Sequence, residues 1–473
     1  MTRVSYRPYA FDQQVLGEFA AIVGDAHVVT GDKIGPDYHH DEALTGAPVA
    51  PAYLARPATA EETAALLAAA SRAGVPVTAR GSGTGLSGAS RPAEGGLIIS
   101  FERMATVLDV DADNQVARVQ PGVTLAELDA ATAPFGLMYT VFPGEMSASI
   151  GGNVGTNAGG MRAVRYGVTR HNVLGLQAAL PSGQLIRTGG KFTKSSTGYD
   201  LTQLIIGSEG TLALATEITV RLYPRPAHSA TLMVPFADLT AVMRAVPAVL
   251  RTGVAPTILE YLDSRTLGAL SGAQNLHLGI DAGVGATAEA YLVIGLDDRE
   301  RASLDAGVAL LGDLLDTQGA LDVYVLEGSS ARTLIDAREK AFWSAKASGA
   351  DEVLDVVVPR AAMPEFLDGA SALAAAVDAH LVGCGHAGDG NVHLAVYCPD
   401  DATRDALLHR IFARAIELGG AISGEHGLGR IKTGHFTALA DPVVLALMRG
   451  IKQVFDPAGI LNPGVILDGK AVP

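Results

Sequence analysis

Apolar and polar positions follow two rhythms along the chain, and the places where one gives way to the other divide it. A helical period runs from Phe11 to Val23, followed by a polar stretch from Thr30 to Gly46. At Thr59 a capping box, Thr59-Ala60-Glu61-Glu62, opens a second helix whose alanine and leucine face reaches Ala73, where Gly74 stops it. Short apolar runs predict strands over 75–79 and 96–100 on either side of a glycine-rich loop, so helix, strand, loop, strand make an α/β beginning. A strand over 116–122, a helix from Thr124 to Ala133, two strands around Pro181-Ser182-Gly183 and a strand from Glu217 to Pro224 follow. Pro224-Arg225-Pro226 then punctuates the chain and sets a boundary near 227. Beyond it, strand Ala230–Phe236, helix Leu239–Thr252 and strand Thr257–Asp263 form one unit, and Ala290–Asp298, Arg299–Gln318 and Leu321–Gly328 repeat its rhythm. Two such units predict an antiparallel sheet with helices on one face, an α+β arrangement. No short-period repeat or low-complexity tract interrupts it.

Length and charge narrow the function. At 473 residues the chain is long enough for two domains, or one domain and a cap. A net charge of −15 excludes nucleic acid or an anionic membrane as the main partner, so an anionic substrate requires a local cation. Cys384 and Cys398 are the only cysteines, which suits a reducing compartment and no disulfide framework. Neither a signal-type apolar segment near Met1 nor a stretch of about 18 apolar residues occurs, so a soluble, cytoplasmic protein without a transmembrane segment is expected.

Two glycine-rich segments carry the first chemistry. Ala79 to Ser90 has glycines at 81, 83, 85 and 88, and Phe142 to Gly160 has them at 151, 152, 155, 159 and 160. Backbone N–H groups in such segments can turn inward and meet an anion. Gly83, Gly85 and Gly88 satisfy G-x-G-x-x-G, yet Ser90-Arg91-Pro92 and then a strand follow where a dinucleotide-binding site needs a helix. No lysine follows any glycine of either segment, which removes the phosphate loop of nucleotide hydrolases. Turn-making alone would explain one such segment better than two. His39 and His40 stand beside Asp41 in a polar run and are assigned no role.

The second chemical signal runs from His386 to His393 and from Ser423 to Arg430. Asp389-Gly390 reads as a turn and the residues after it as a strand, so the two histidines can converge, with Glu425 on a second glycine-bounded loop. Two imidazoles and a carboxylate leave open positions on a divalent ion, as a catalytic metal site requires. Cys384 is expected to be buried rather than a ligand, and Trp343, the only tryptophan, to pack.

Together with Leu204 to Pro224, the two glycine segments resemble the FAD-binding domain of the vanillyl-alcohol oxidase family of flavoproteins over roughly residues 48–225. His386 to His393, Gly424 to Gly429 and Leu461-Asn462-Pro463-Gly464 extend the likeness to about residue 470. They resemble the FAD-linked D-2-hydroxy acid dehydrogenases, the group that holds D-lactate dehydrogenase, the flavin subunit of glycolate oxidase and D-2-hydroxyglutarate dehydrogenase. The resemblance implies an α+β fold: a two-part FAD-binding domain with an antiparallel-sheet cap. It divides the chain into an extension (1–47), an FAD-binding domain (48–227), a substrate or cap domain (228–422) and a C-terminal segment (423–473) that completes the site. It places FAD against Arg80, Gly81, Ser82, Gly83, Thr84, Gly85, Ser87 and Gly88 of the first segment. Pro143, Gly144, Ser149, Gly152, Asn153, Asn157, Ala158 and Gly159 of the second would run along the flavin. Gly167, Glu209, Gly210 and Ile218 complete the implied set, and Asn462 would return to the cofactor. Some members tether FAD through a histidine of the first loop; none lies between Arg80 and Ser90, so noncovalent FAD is expected.

By the same likeness His386, His393 and Glu425 would hold a divalent metal, zinc being the ion expected, with Asn391 bonding the substrate and His426 as the base. Hydride can leave a 2-hydroxy acid only as its hydroxyl proton departs, which requires a base near neutral pKa within reach. Arg338 offers the planar fork for the substrate carboxylate. Where the 2-hydroxyglutarate enzymes carry a hydroxyl and a lysine, this chain has Phe342 and Val353, which disfavours a second carboxylate unless Lys340 or Lys346 substitutes. The expected partners are a small anionic 2-hydroxy acid and an acceptor such as a quinone, an electron-transfer protein or a cytochrome; a homodimer is allowed. A metal hydrolase built on His386, His393 and Glu425, or a flavin-carrying subunit of a larger complex, are the alternatives.

Overall fold

The computed structural model describes residues 11–274 and 279–467. β1 (Val28–Thr30), β2 (Tyr53–Ala55), β3 (Val77–Arg80) and β4 (Leu97–Ser100) form a sheet in the order β1-β2-β4-β3, parallel except for β1. Helix Ala60–Ala73 lays Leu66, Leu67, Ala69 and Ala70 on its core. The Thr59 hydroxyl accepts the N–H of Glu62 at 3.0 Å, and Gly74, at φ +65°, ends the helix as expected.

Next come β5 (Val107–Asp111), β6 (Val116–Val119), β7 (Leu137–Met138), β8 (Val173–Ala179), β9 (Leu185–Gly189), β10 (Leu214–Arg221) and β11 (Tyr223–Pro224). An antiparallel sheet, β5-β6-β10-β8-β9, takes five of these strands, and β11 pairs with β7. The second glycine segment, which reads as a loop, contains a helix over Ile150–Thr156. Ser149 caps it on the Gly152 N–H, Asn157 ends it at φ +53°, and Ile150 and Val154, four residues apart, enter the core beneath the sheet. Capping and that apolar pair outweigh the glycine content.

The remaining strands are β12 (His228–Phe236), β13 (Ile258–Asp263), β14 (Ala290–Asp298), β15 (Tyr324–Leu326), β16 (Glu352–Val357), β17 (His380–His386) and β18 (Asn391–Tyr397). They make one antiparallel sheet in the order β15-β12-β14-β13-β17-β18-β16. Helices Leu239–Arg251, Arg301–Thr317, Met363–Ala375 and Asp401–Glu417 cover one face through Leu232, Val234, Leu259, Ile294 and Leu394. Helices do not stop at one face, as the strand–helix rhythm suggests. Helices Ser264–Gln274 and Gly328–Glu339 lie across the other face, where Leu267, Leu270 and Leu334 meet Met233, Leu262, Val293 and Cys384. Runs such as Leu232-Met233-Val234 are apolar on both sides and need cover on both. The second, thinner layer encloses the site described below.

The C-terminal segment returns to the first sheet, where Leu461 bridges to Val77 and the Asn462 N–H donates to the Val77 carbonyl at 2.8 Å. Buried Asp456 holds that return by accepting the N–H groups of Ile460 and Leu461 and the ammonium of Lys452, which also reaches the Thr211 and Leu461 carbonyls. Asp456→Ala leaves the half-buried Lys452 ammonium without its anion and the Ile460 and Leu461 N–H groups without their acceptor, and should loosen this docking by about 2 kcal/mol. Amide exchange at Leu461 and Asn462 should accelerate accordingly; unchanged protection would show that the docking does not depend on this carboxylate.

Candidate active site

Strand register brings the histidines together. β17 and β18 pair Cys384 with His393 and His386 with Asn391, so alternate residues 384, 386 and 393 point to the thinly covered face. The turn between the strands closes on Gly390 at φ +79°. Glu425 arrives from a separate loop that Asp355 of β16 holds. One oxygen of this fully buried carboxylate accepts the Ser423 hydroxyl (2.8 Å) and the N–H groups of Gly424 (3.0 Å), Glu425 (3.0 Å) and His426 (2.7 Å). Burial alone would raise the Asp355 pKa; His426, Lys432 and His393 instead hold it far below the usual carboxylate range.

The Glu425 Oε1 atom thus lies 2.9 Å from His386 Nε2 and 3.2 Å from His393 Nε2, and one ligand atom from each of the three falls within 4.8 Å of the others. Behind His386, Nδ1 meets Glu260 Oε1 at 2.6 Å, which turns Nε2 inward. Burial would lower the His386 pKa, but Glu260 and Glu425 raise it well above the ordinary value. A proton held between carboxylates occupies the place a cation would take, so the donor set fits a divalent metal with Glu260 and Asp355 as outer partners.

Glu260 was not singled out in the sequence, because an isolated acidic residue in the apolar run Ile258–Leu262 belongs to no motif. It has no exposed surface, and its second oxygen lies 2.7 Å from Arg338 Nη2 in an ionic contact that lacks hydrogen-bond alignment. Burial would raise the Glu260 pKa, and His386 and Arg338 bring it below the ordinary value. Arg338 is buried rather than on the surface, it lines the same cavity as the triad, and its Nε has no partner. Lys346 instead pairs with Glu42 at 2.6 Å outside that cavity, which Phe342 lines. Trp343 is 40% exposed and meets Phe342 edge-on, so it is not a core residue. Cys384 is buried, as expected, and in no disulfide.

The Asn391 amide N–H groups go to Asp355 Oδ1 (2.8 Å) and the Val356 carbonyl (2.9 Å), so it positions the Asp355 carboxylate. His426 stacks on His393 with ring centroids 5.0 Å apart, and its Nδ1 has no partner. Burial lowers its pKa to about 4, with His393 and Lys432 adding to the shift against Asp355. It is therefore a neutral acceptor at pH 7 and not a group titrating near neutrality.

A second, longer cleft of about 1300 Å³, its open mouth included, runs between the glycine segments. Gly81 to Gly85, Pro143, Ser149, Gly152, Asn153, Ala158, Gly159, Glu209 and Gly210 line it, joined by Leu86, Phe101, Glu145, Ser208 and the strand start Leu214-Ala215. Among the described residues, no N–H from Gly81 to Leu86 donates to a protein acceptor, which leaves a row of donors for an anionic ligand. Other expected contacts are structural. Arg80 donates to the His40 carbonyl and covers Tyr38; Asn157 accepts the Arg170 N–H; Ile218 is core. Ser87 and Gly88 pack against Arg430, Gly144 lines the triad cavity, and Gly167 abuts His171. Asn462 donates to Ala89 and Glu209 carbonyls, so it fastens the cleft from behind instead of meeting the ligand.

The two cavities meet at Leu86, Pro143, Glu425 and His426. A long anion-binding cleft therefore ends against a histidine–carboxylate cluster. The description "FAD binding domain" matches residues 51–189, and "FAD linked oxidases, C-terminal domain" matches residues 225–466. The chain belongs to the FAD-linked oxidases. An uncharacterised FAD-linked oxidoreductase of Mycobacterium tuberculosis is 63% identical over 96% of this chain and 99% of its own. D-lactate dehydrogenase of Anaerostipes hadrus is 35% identical (94% and 95% covered), and the glycolate oxidase subunit GlcD of Bacillus subtilis 36% identical (86% and 87% covered). The fold matches that of p-cresol methylhydroxylase with substrate bound, at a TM-score of 0.80, 17% identity and 98% coverage of both chains. It is the vanillyl-alcohol oxidase fold, with FAD-dependent oxidoreductase chemistry.

The cleft fits FAD: its free N–H row suits a pyrophosphate, and its far end opens on the cluster where substrate would lie. Glu209 joins the halves, since its oxygens accept the Leu428 and Gly429 N–H groups at 2.8 Å each. Burial raises its pKa to about 7 from an ordinary 4.5. A carboxyl whose folded pKa lies above its unfolded one binds its proton more tightly in the native state, so stability falls as pH rises from about 4.5 to 7 and then levels. This group alone should contribute a decline of about 3 kcal/mol across that window, which Glu209→Gln should remove. Melting temperatures of both proteins at matched cofactor content measure it: a pH-independent difference between them would contradict the burial assignment.

Proposed function

We propose that this FAD-linked oxidoreductase converts a D-2-hydroxy acid to the 2-oxo acid, with His426 as base and a divalent metal, zinc by its donor set, on His386, His393 and Glu425. One observation carries the reading: Glu425 and His426 border the cofactor cleft and the triad cavity at once. The names of the D-lactate dehydrogenase and glycolate oxidase relatives support the substrate class. We assign 48–227 to the cofactor, 228–422 to the substrate chamber, 423–473 to the joining loop and return, and 1–47 to an extension.

Bound FAD supplies the acceptor for the hydrogen and two electrons that leave C2. A metal on the triad would supply a Lewis acid that orients the hydroxyl and favours its ionised form. Arg338, which lines the cavity, anchors the substrate carboxylate, while Glu260 fixes both Arg338 and His386. His426 takes the hydroxyl proton on a neutral ring nitrogen as the C2–H bond breaks and the carbonyl forms; with its pKa of about 4 it is a weak base, and the metal's pull on the hydroxyl would offset that. Burial keeps water from competing for that proton. The electron acceptor we propose is a quinone, an electron-transfer protein or a cytochrome. No helix among the described residues is long and apolar enough to cross a membrane. A metal hydrolase would leave the cofactor cleft without a use.

Anaerobic mixing with D- and L-2-hydroxy acids should bleach the flavin band with the D series only. His426→Gln should slow that bleaching by about 10²–10⁴-fold at unchanged flavin content. Bleaching by the L series would remove the D assignment, and a variant within about threefold of wild type would remove His426 as the base of this reaction.

A further inference from the structure

The cavity beyond the triad is built for more than a methyl group. The strand register lays it out in rows: Cys384 opposite His393 at the triad, then Val382, Ala395 and Val353 side by side, then Tyr397. Val353, Val382 and Ala395 all line the cavity, so its floor is apolar immediately beyond the ligands. Phe342 and Ala345 of helix Ala341–Ala347 form the roof. At the far end the Ser348 and Tyr397 hydroxyls close on each other at 2.7 Å, so both are satisfied without a ligand. From His393 to Tyr397 the strand advances four residues, about 14 Å at the usual rise.

Among the described residues, Arg338 is the one arginine or lysine that lines this cavity, and it sits at the triad end, paired with Glu260. The wall beyond offers no cation to a second carboxylate, and Glu339 adds an acidic group. Burying an unpaired carboxylate there would be costly. Burying methylenes against Val382, Ala395, Val353 and Phe342 is favourable.

We infer that the substrate is a monocarboxylic 2-hydroxy acid with an apolar side chain several carbons long, which lies along the Val382–Ala395–Val353 row towards Tyr397. This inference rests on the proposed function and goes beyond it, since lactate and glycolate would fill only the triad end. Each buried methylene improves turnover efficiency by about fourfold, so D-2-hydroxyhexanoate should exceed D-lactate by roughly 50-fold. D-2-hydroxyglutarate should be poor despite its length.

The test is anaerobic single-turnover reduction of the FAD-loaded protein by glycolate, D-lactate, D-2-hydroxybutyrate, D-2-hydroxyhexanoate, D-2-hydroxyoctanoate and D-2-hydroxyglutarate. Efficiency that climbs to the six-carbon acid and beyond supports the inference. A maximum at glycolate or D-lactate, or at D-2-hydroxyglutarate, overturns it and leaves the proposed function standing. If no acid of either length bleaches the flavin, the proposed function falls and the inference with it. Ala395→Phe, which blocks the middle of the row, should lower the D-2-hydroxyhexanoate to D-lactate ratio at least about tenfold by the same methylene scale. An unchanged ratio in a folded, FAD-loaded variant would place the side chain elsewhere.

Discussion

A carboxylate with no exposed surface must find its hydrogen bonds inside the protein, and Asp355 finds them in the loop that carries Glu425 and His426. Three successive N–H groups and a hydroxyl turned onto one oxygen fix the backbone of that loop more tightly than packing could. Its other oxygen accepts Asn391. The direction of Glu425 towards two imidazoles, and of His426 towards the seam between cavities, follows from satisfying this one buried charge.

The same loop is gripped from the cofactor side. Glu209 accepts the N–H groups of Leu428 and Gly429, while the Ser87 carbonyl accepts those of Arg430 and Ile431. A side chain on Gly429 would collide with that carbonyl, and one on Gly427 would press on the Glu209 carboxylate. The glycines of Gly424-Glu425-His426-Gly427-Leu428-Gly429 are thus spaced for close approach of two halves of the molecule. A segment held rigidly from both sides can place a substrate against a cofactor with the small tolerance that hydride transfer demands.

Much of this was legible in the sequence, and the misses have a common cause. Periodicity located β3, β4, β6, β8, β9, β10, β12 to β15 and β18 and the helices Gln13–Val23, Ala60–Ala73, Leu239–Arg251 and Arg301–Thr317, because burial on one face leaves a direct imprint on composition; β16, β17 and the long helices beyond residue 360 were not read from it. The histidine pair and Glu425 stood out through the likeness to the 2-hydroxy acid dehydrogenases, since their spacing alone would not have set them apart from ordinary core or surface residues. Partner choice between buried polar groups leaves no such imprint. Asn391 and Asn462 looked like ligand contacts, and each spends its amide on neighbouring protein acceptors. Glu260, the residue that ties Arg338 to His386, belongs to no motif and went unread within its strand. The helix over Ile150–Thr156 was hidden because glycine content masked a capping serine and an apolar pair.

The central claim is that cofactor, substrate and ligand triad converge at Glu425 and His426. A crystal structure of the FAD-loaded protein, grown with a divalent metal and soaked anaerobically with a 2-oxo acid, tests it most directly through anomalous scattering from the metal. The account predicts metal density on His386, His393 and Glu425, the 2-oxo acid carboxylate at Arg338, and C2 between His426 and the flavin ring. A flavin ring at the opposite end of the cleft, or a 2-oxo acid bound away from Arg338, would contradict it.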